Sequence, residues 1–347
     1  MFMSVKVGIP RALLYYHYYP QWYTFFDQLQ VTVVVSPPTN KHILEQGIAY
    51  CLDEACLPVK VAFGHLAQLA DQVDFIFLPR LVSVFPREYI CPKFLGLPEM
   101  VRHSGLPLPP LLVPAINTYR RQSDLMAAFQ QLGNTLGRPD GQVRKAARLA
   151  QQVQQEYEKL LLAGWLPEQA SRLLLGRQAQ EQQVRLATEL SPSSPPEAPE
   201  QGKGRIAIIG HPYLVYDSYL NMNLLQKLTR RQWPVAVVEQ VSSTEIQKQT
   251  ARLPKKIFWT LGRLLIGAGY HFLSAPHVAG LIHLSSFACG PDALIGELIA
   301  SQARNCPGKP FMNIVIDEHS GEAGLLTRLE AFLDMVTIAG GRAGASA

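Results

Sequence analysis

Four cysteines of this chain occupy comparable places. Cys51 and Cys56 bracket 51-CLDEAC-56, just after an expected helix; Cys91 sits in 89-YICPKFLGLP-98, after a strand; Cys289 directly follows the apolar run 280-GLIHLSS-286. Thiolates coordinate zinc or iron–sulfur clusters, and four ligands suit either. There is no tight C-x-x-C pair, so the spacing leaves a second reading open, in which each thiol is a small buried hydrophobe. Cys306, in 305-NCPGKP-310, reads as a loop bystander before a strand.

Other polar residues offer weaker chemistry. Asp317, Glu318 and His319 follow the strand-like 311-FMNIVI-316, where they could relay protons or orient a ligand. The competing reading is a helix start, with Ser320 or Glu318 near the first turn and acidic charge favouring its dipole. Arg328 and Glu330 read as a structural ion-pair network. His65, near Cys56 in sequence, reads as a hydrogen-bonded core histidine before a metal ligand. Gly8 and Pro10 mark a strand-to-helix turn where an anion could approach, but no GxGxxG or Walker A sequence supports nucleotide binding. The aromatic group Tyr15, Tyr16, Tyr18, Tyr19, Trp22 and Tyr23 is expected to pack helix against sheet.

The elements that must position these residues alternate. Apolar, β-branched runs at 5–9, 31–36 and 74–80 are expected strands. Between them lie helical patterns at 11–29, kinked or restarted at Pro20, and 40–52. A polar helical region follows, with Leu160, Leu161 and Leu162 among its expected buried positions. A second alternation has strands at 205–213, 235–240, 280–286 and 311–316, with helices at 218–231, 256–273, 291–302 and 322–336. Near-continuous apolar strands separated by helices imply parallel sheets covered on both faces. The fold class is therefore α/β: an N-terminal lobe (1–122), a helical section (123–190), a Pro/Ser/Glu-rich flexible linker (191–204) and a C-terminal lobe (205–340). Ligands gather outside the carboxyl ends of strands in such sheets, so the cysteines are expected to converge on a cleft between lobes.

Composition narrows the partners. The 347 residues are 48% hydrophobic and 17% charged, as in a folded globular protein. Lys+Arg 32 against Asp+Glu 27 gives +5, too little over this length to argue for nucleic acid. The most apolar run, 257-IFWTLGRLLIGAGYHFL-273, carries Arg263 and three glycines and reads as a buried helix, not a membrane span. No secretory pattern is seen in MFMSVKVGIP, so the expected location is cytoplasmic, where cysteines are reduced, metal-bound or catalytic.

The segments 56-CLPVKVAFGHL-66, 75-FIFLPRLVSV-84, 89-YICPKFLGLP-98, 286-SFACGPDALIGELI-299 and 317-DEHSGEAGLLTRLEAFLDM-335 resemble the acyl-CoA dehydratase activase-related family. That family is similar to 2-hydroxyacyl-CoA dehydratase subunits and to double-cubane iron–sulfur proteins. The resemblance implies Rossmann-like lobes holding an oxygen-sensitive cluster, reduced at low potential by a partner ATPase. It places cluster ligands at Cys56, Cys91 and Cys289, with Cys51 as candidate fourth. A double cubane, as the similar proteins carry it, would use six cysteines and the chain has five, so a single [4Fe–4S] cluster is the first expectation, with a double cubane only if a non-cysteine ligand or a second chain contributes. The function implied is low-potential electron transfer served by a separate ATP-dependent activator. The alternatives are a dehydratase-like subunit with an open iron site, acting on a CoA thioester, and a non-redox zinc or assembly module. A homodimer is compatible with each.

Overall fold

The computed structural model describes residues 5–120, 124–181 and 204–344. Two compact units divide the chain: Met1–Asp53 with Val59–Pro196, and Glu54–Pro58 with Glu197–Ala347. The expected linker lies outside the described residues except for Gly204.

The first unit runs β1 (Lys6–Ile9), α1 (Tyr15–Gln28), β2 (Thr32–Val35), α2 (Lys41–Tyr50), α3 (Leu57–Leu69, whose first two residues group with the other unit), β3 (Phe75–Phe77), β4 (Arg80–Ser83), α4 (Pro92–Arg102), β5 (Leu111–Leu112) and β6 (Ala115–Asn117). Helices α5 (Asp124–Thr135), α6 (Asp140–Leu162) and α7 (Pro167–Glu181) complete it. Its main sheet is parallel, in the order β2-β1-β3-β5, and β4 pairs with β6 as a separate parallel ribbon. The single strand expected at 74–80 is thus two, broken at Leu78–Pro79, where proline has no N–H to give a ladder.

Helix α1 passes through Pro20 without restarting. A proline there removes the hydrogen bond to the carbonyl four residues back, that of Tyr16. Tyr157 Oη of α6 donates to that carbonyl at 2.6 Å, and Gln154 Nε2 donates to the next one, His17, at 3.1 Å. Side chains of a neighbouring helix thereby replace the lost backbone partner. Of the aromatic group of α1, Trp22 packs against the sheet as expected, and it and Phe26 meet the Phe77 ring of β3 at 5.1 and 5.2 Å. Tyr15, Tyr16 and Tyr19 instead line a pocket with Tyr157 of α6 and Pro167 and Glu168 of α7. On α6, Leu161 is buried but Leu162 is 47% exposed, because one residue further turns the side chain about 100° around the helix.

Helices α2 and α3 touch backbone to backbone. A Cβ on Gly47 would lie 2.1 Å from the Lys60 carbonyl oxygen, and one on Gly64 would lie 1.8 Å from that of Ile43. Only glycine allows this approach, and the two helices flank the 51–56 loop that carries Cys51.

The second unit runs β7 (Arg205–Gly210), α8 (Pro212–Val215), α9 (Leu224–Arg230), β8 (Val235–Val237), α10 (Ser243–Thr250), α11 (Thr260–Ser274), β9 (Val278–Ser286), α12 (Gly290–Ala303), β10 (Phe311–Ile316) and α13 (Glu322–Gly344). Its sheet is parallel throughout, ordered β10-β9-β7-β8. Near-continuous apolar strands such as 206-IAIIG-210 are buried, as a sheet covered on both faces requires. The helix expected at 218–231 begins only at Leu224. Asp217 Oδ1 accepts the N–H groups of Tyr219 and Leu220, and Met222 and Asn223 take positive φ of 52° and 59°, so a turn occupies the first half. Helix α11 is buried along most of its length, Arg263 included, and no helix among the described residues is long and apolar enough to cross a membrane.

Candidate metal centre

Strands β7 and β9 lie side by side, with Gly210 paired to Leu284 at their carboxyl ends. From β7 the chain moves to β8 on one side and later to β9 on the other. The crevice between the ends of β7 and β9 is therefore a switch point, where open α/β sheets bind ligands. His211 is the first residue after β7. Cys289 follows β9 as N-cap of α12, and Asp292 lies in the first turn of that helix.

One ligating atom from each of His211, Cys289 and Asp292 lies within 4.8 Å of the other two. His211 and Asp292 are buried and Cys289 is half-buried. Asp292 Oδ1 stands 3.7 Å from His211 Nε2 and 3.3 Å from His283 Nε2, and His283 Nδ1 reaches Asn313 Oδ1 of β10 at 3.0 Å. The His283 ring is held against Gly296 of α12, where a Cβ would lie 2.9 Å from ring atoms. His211 stacks on Tyr213 at 5.0 Å.

The electrostatics follow from this packing. Burial pushes the Asp292 carboxyl up, but His211 and His283 outweigh it and hold the group below its ordinary value. Burial pushes the His211 imidazole down despite the pull of Asp292, favouring the neutral ring that a metal requires. Asp292 Oδ2 and His211 Nδ1 are buried without a hydrogen-bond partner among the described residues.

The other cysteines have definite local places. Cys91 is the N-cap of α4, with Pro92 opening the helix. Cys56 immediately precedes α3, with Pro58 in its first turn. Leu57, next to it, donates its N–H to Ser286 Oγ at 3.1 Å, within the second unit. Cys51 differs, as the C-cap of α2. Burial pushes the Cys51 and Cys91 thiols up, opposed by the Leu52 N–H at Cys51 and by the Phe94 and Lys93 N–H groups at Cys91. None of the five cysteines forms a disulfide, and Cys306 packs against the apolar core around α11.

The remaining candidates have definite local partners. His65 is buried, with Nδ1 2.9 Å from Ser36 Oγ and Nε2 2.9 Å from Thr39 Oγ1. Gly8 faces Val73 and Leu69 side chains, so its missing side chain makes room for packing. Asp317 Oδ1 accepts from the His319 N–H at 3.0 Å and from Ser320 Oγ at 2.8 Å, a closed turn ahead of α13. Arg328 and Glu330 do not share one network: Arg328 donates to the Asn313 carbonyl, and Glu330 pairs with Arg231. His211 and Asp292 were absent from the sequence-based candidates. Their signals were a histidine directly at a strand end, in 205-RIAIIGHPY-213, and an acid in 289-CGPD-292 that also suits a helix dipole.

The fold is that of an α/β protein of parallel-sheet units, with His211, Cys289 and Asp292 grouped at strand ends of the second unit in an arrangement that could hold a metal ion. The chain belongs to the family described as CoA enzyme activase uncharacterised domain (DUF2229), which matches residues 6–241. This is an activase-related family of the acyl-CoA dehydratase type. The matched stretch contains Cys51, Cys56, Cys91 and His211, while Cys289 and Asp292 lie beyond it. No curated protein matches the chain.

Proposed function

We propose that this chain is an iron–sulfur component of an acyl-CoA enzyme system, carrying low-potential electrons that a separate ATP-dependent activator supplies. Cys51, Cys56, Cys91 and Cys289 are the proposed ligands of a [4Fe–4S] cluster. One observation carries the reading. Cys56, Cys91 and Cys289 each stand immediately before a helix with a proline in its first turn. Helix N-termini favour anions and thiolates, so these places suit the donor set of an anionic cluster. When bound, the cluster would supply one-electron chemistry at a potential tuned by hydrogen bonds and exposure. The chain's own part is to hold three of its thiolates at helix starts, with Cys51 at the carboxyl end of α2 as the fourth.

A second reading has its own support. Cys51 sits at the carboxyl end of α2, where the dipole opposes a thiolate, unlike the three cysteines at helix starts. Three thiolates without Cys51 would leave one iron open to a CoA thioester, as in a dehydratase-like subunit. Anaerobic reconstitution followed by iron and sulfide analysis tests the shared premise. Cys51→Ala then separates the two: loss of the cluster supports the four-cysteine carrier, and retention supports the open-site enzyme.

A further inference from the structure

His211, Cys289 and Asp292 form a donor set within the second unit alone. The geometry points to a mononuclear site for a divalent transition metal of the zinc or iron(II) type, held by these three side chains with a fourth position open. It shares only Cys289 with the cluster reading and uses none of Cys51, Cys56 or Cys91.

Convergence is the first argument. Terminal ligands on different irons of a cubane diverge outward, whereas these three approach one point, with their ligating atoms within 4.8 Å of one another. Metal–ligand bonds of about 2.0–2.3 Å at tetrahedral angles place ligands roughly 3.3–3.8 Å apart. The 3.7 Å between His211 Nε2 and Asp292 Oδ1 falls in that interval.

Unmet valence is the second. Asp292 is fully buried, and while Oδ1 faces two imidazoles, Oδ2 has no hydrogen-bond partner among the described residues. A buried carboxylate oxygen left in that state costs stability, and a cation beside it removes the cost. One thiolate, one carboxylate and one neutral imidazole carry two negative charges, which a divalent ion neutralises. The thiolate and imidazole select against magnesium and calcium, whose ligands are oxygens. His283 acts as a positioning residue, fixing the carboxylate from behind.

Three protein ligands with a half-buried cysteine match catalytic zinc sites, which keep a position for water or substrate. The ligand class for that position is an oxygen donor: water, a carboxylate or a polarisable carbonyl. Cys289 is common to this set and to the four-cysteine cluster, so ion and cluster are alternative occupants.

The test is cobalt(II) titration of the full-length apo chain, followed by its thiolate-to-metal charge-transfer band, with X-ray absorption of the zinc-loaded protein. One cobalt per chain is expected, and one sulfur with nitrogen or oxygen neighbours around zinc. Asp292→Asn and His211→Gln should each weaken cobalt binding at least about tenfold. The Cys51→Ser/Cys56→Ser/Cys91→Ser variant, which cannot hold the proposed cluster, should keep the band. Two or more sulfurs around zinc, no cobalt binding, or loss of the band in the triple variant would overturn the site. The zinc spectrum of the unaltered chain decides the matter even if a buried substitution prevents folding. Iron and sulfide content of the same preparations reports separately on the cluster.

Discussion

Asp292 Oδ1 lies 3.7 Å from His211 Nε2, although the two residues follow different strands of the second sheet. The parallel pairing of β7 with β9 brings them together, because both strands end at the same edge of that sheet. The geometry of this group therefore depends on strand register as much as on the residues themselves.

Tyr157→Phe should destabilise the chain by about 1–3 kcal/mol, the cost of leaving the Tyr16 carbonyl without its donor beside Pro20. Urea unfolding reads this directly. An unchanged midpoint would mean that α1 tolerates Pro20 without help from α6.

Gly64→Ala should be harsher than an ordinary helical Gly→Ala, which is favourable by about 1 kcal/mol. The new Cβ would meet the Ile43 carbonyl, so overpacking of roughly 1–3 kcal/mol or more is expected. The 51–56 loop is flanked by these helices, so cluster loading should also fall. A variant at least as stable as the parent would refute the close packing of α2 and α3.

His65 supplies a pH dependence. Burial, with Arg11 adding to it, lowers its pKa to about 3 against an ordinary value of 6.5. The unfolded chain then binds the extra proton between those values. Stability from this group is present above pH 6.5 and is lost as pH falls toward about 3, by up to about 1.4 kcal/mol per pH unit. His17, lowered by burial to about 4, acts in the same direction. Unfolding midpoints measured from pH 7 to pH 4 should fall less steeply in His65→Asn than in the parent; equal slopes would contradict the assignment.

The closed turn at Asp317 predicts that Asp317→Ala costs about 1–2 kcal/mol, from two lost hydrogen bonds. Metal content should not change. Reduced metal loading at full stability would instead revive a role at the metal for this segment.

The alternation of β-branched runs with helical patterns made β1, β2, β3 and the second unit's sheet readable from residues, and 311-FMNIVI-316 is β10 as expected, whereas β5 and β6 were not anticipated in their proline-rich stretch. Helices α3 and α4 were not anticipated, because Pro58 and Pro92 stand at their beginnings, in stretches that resemble loops. Proline is suited to a first helical turn, and the cysteines before these prolines thereby gain a shared local setting. His65 was readable as a core histidine because it stands alone on an apolar face. The pairing of His211 with Asp292 was not readable, since it arises from sheet order, and no local pattern encodes that order.

The central claim is that the cysteines at these helix starts hold a [4Fe–4S] cluster. Anaerobic reconstitution of the full chain, with iron and sulfide analysis and electron paramagnetic resonance after reduction, tests it most directly. About four irons and four sulfides per chain are expected, with a reduced-cluster signal that is lost in Cys289→Ser. Iron-free protein after reconstitution, or a cluster that survives Cys289→Ser unchanged, would contradict it.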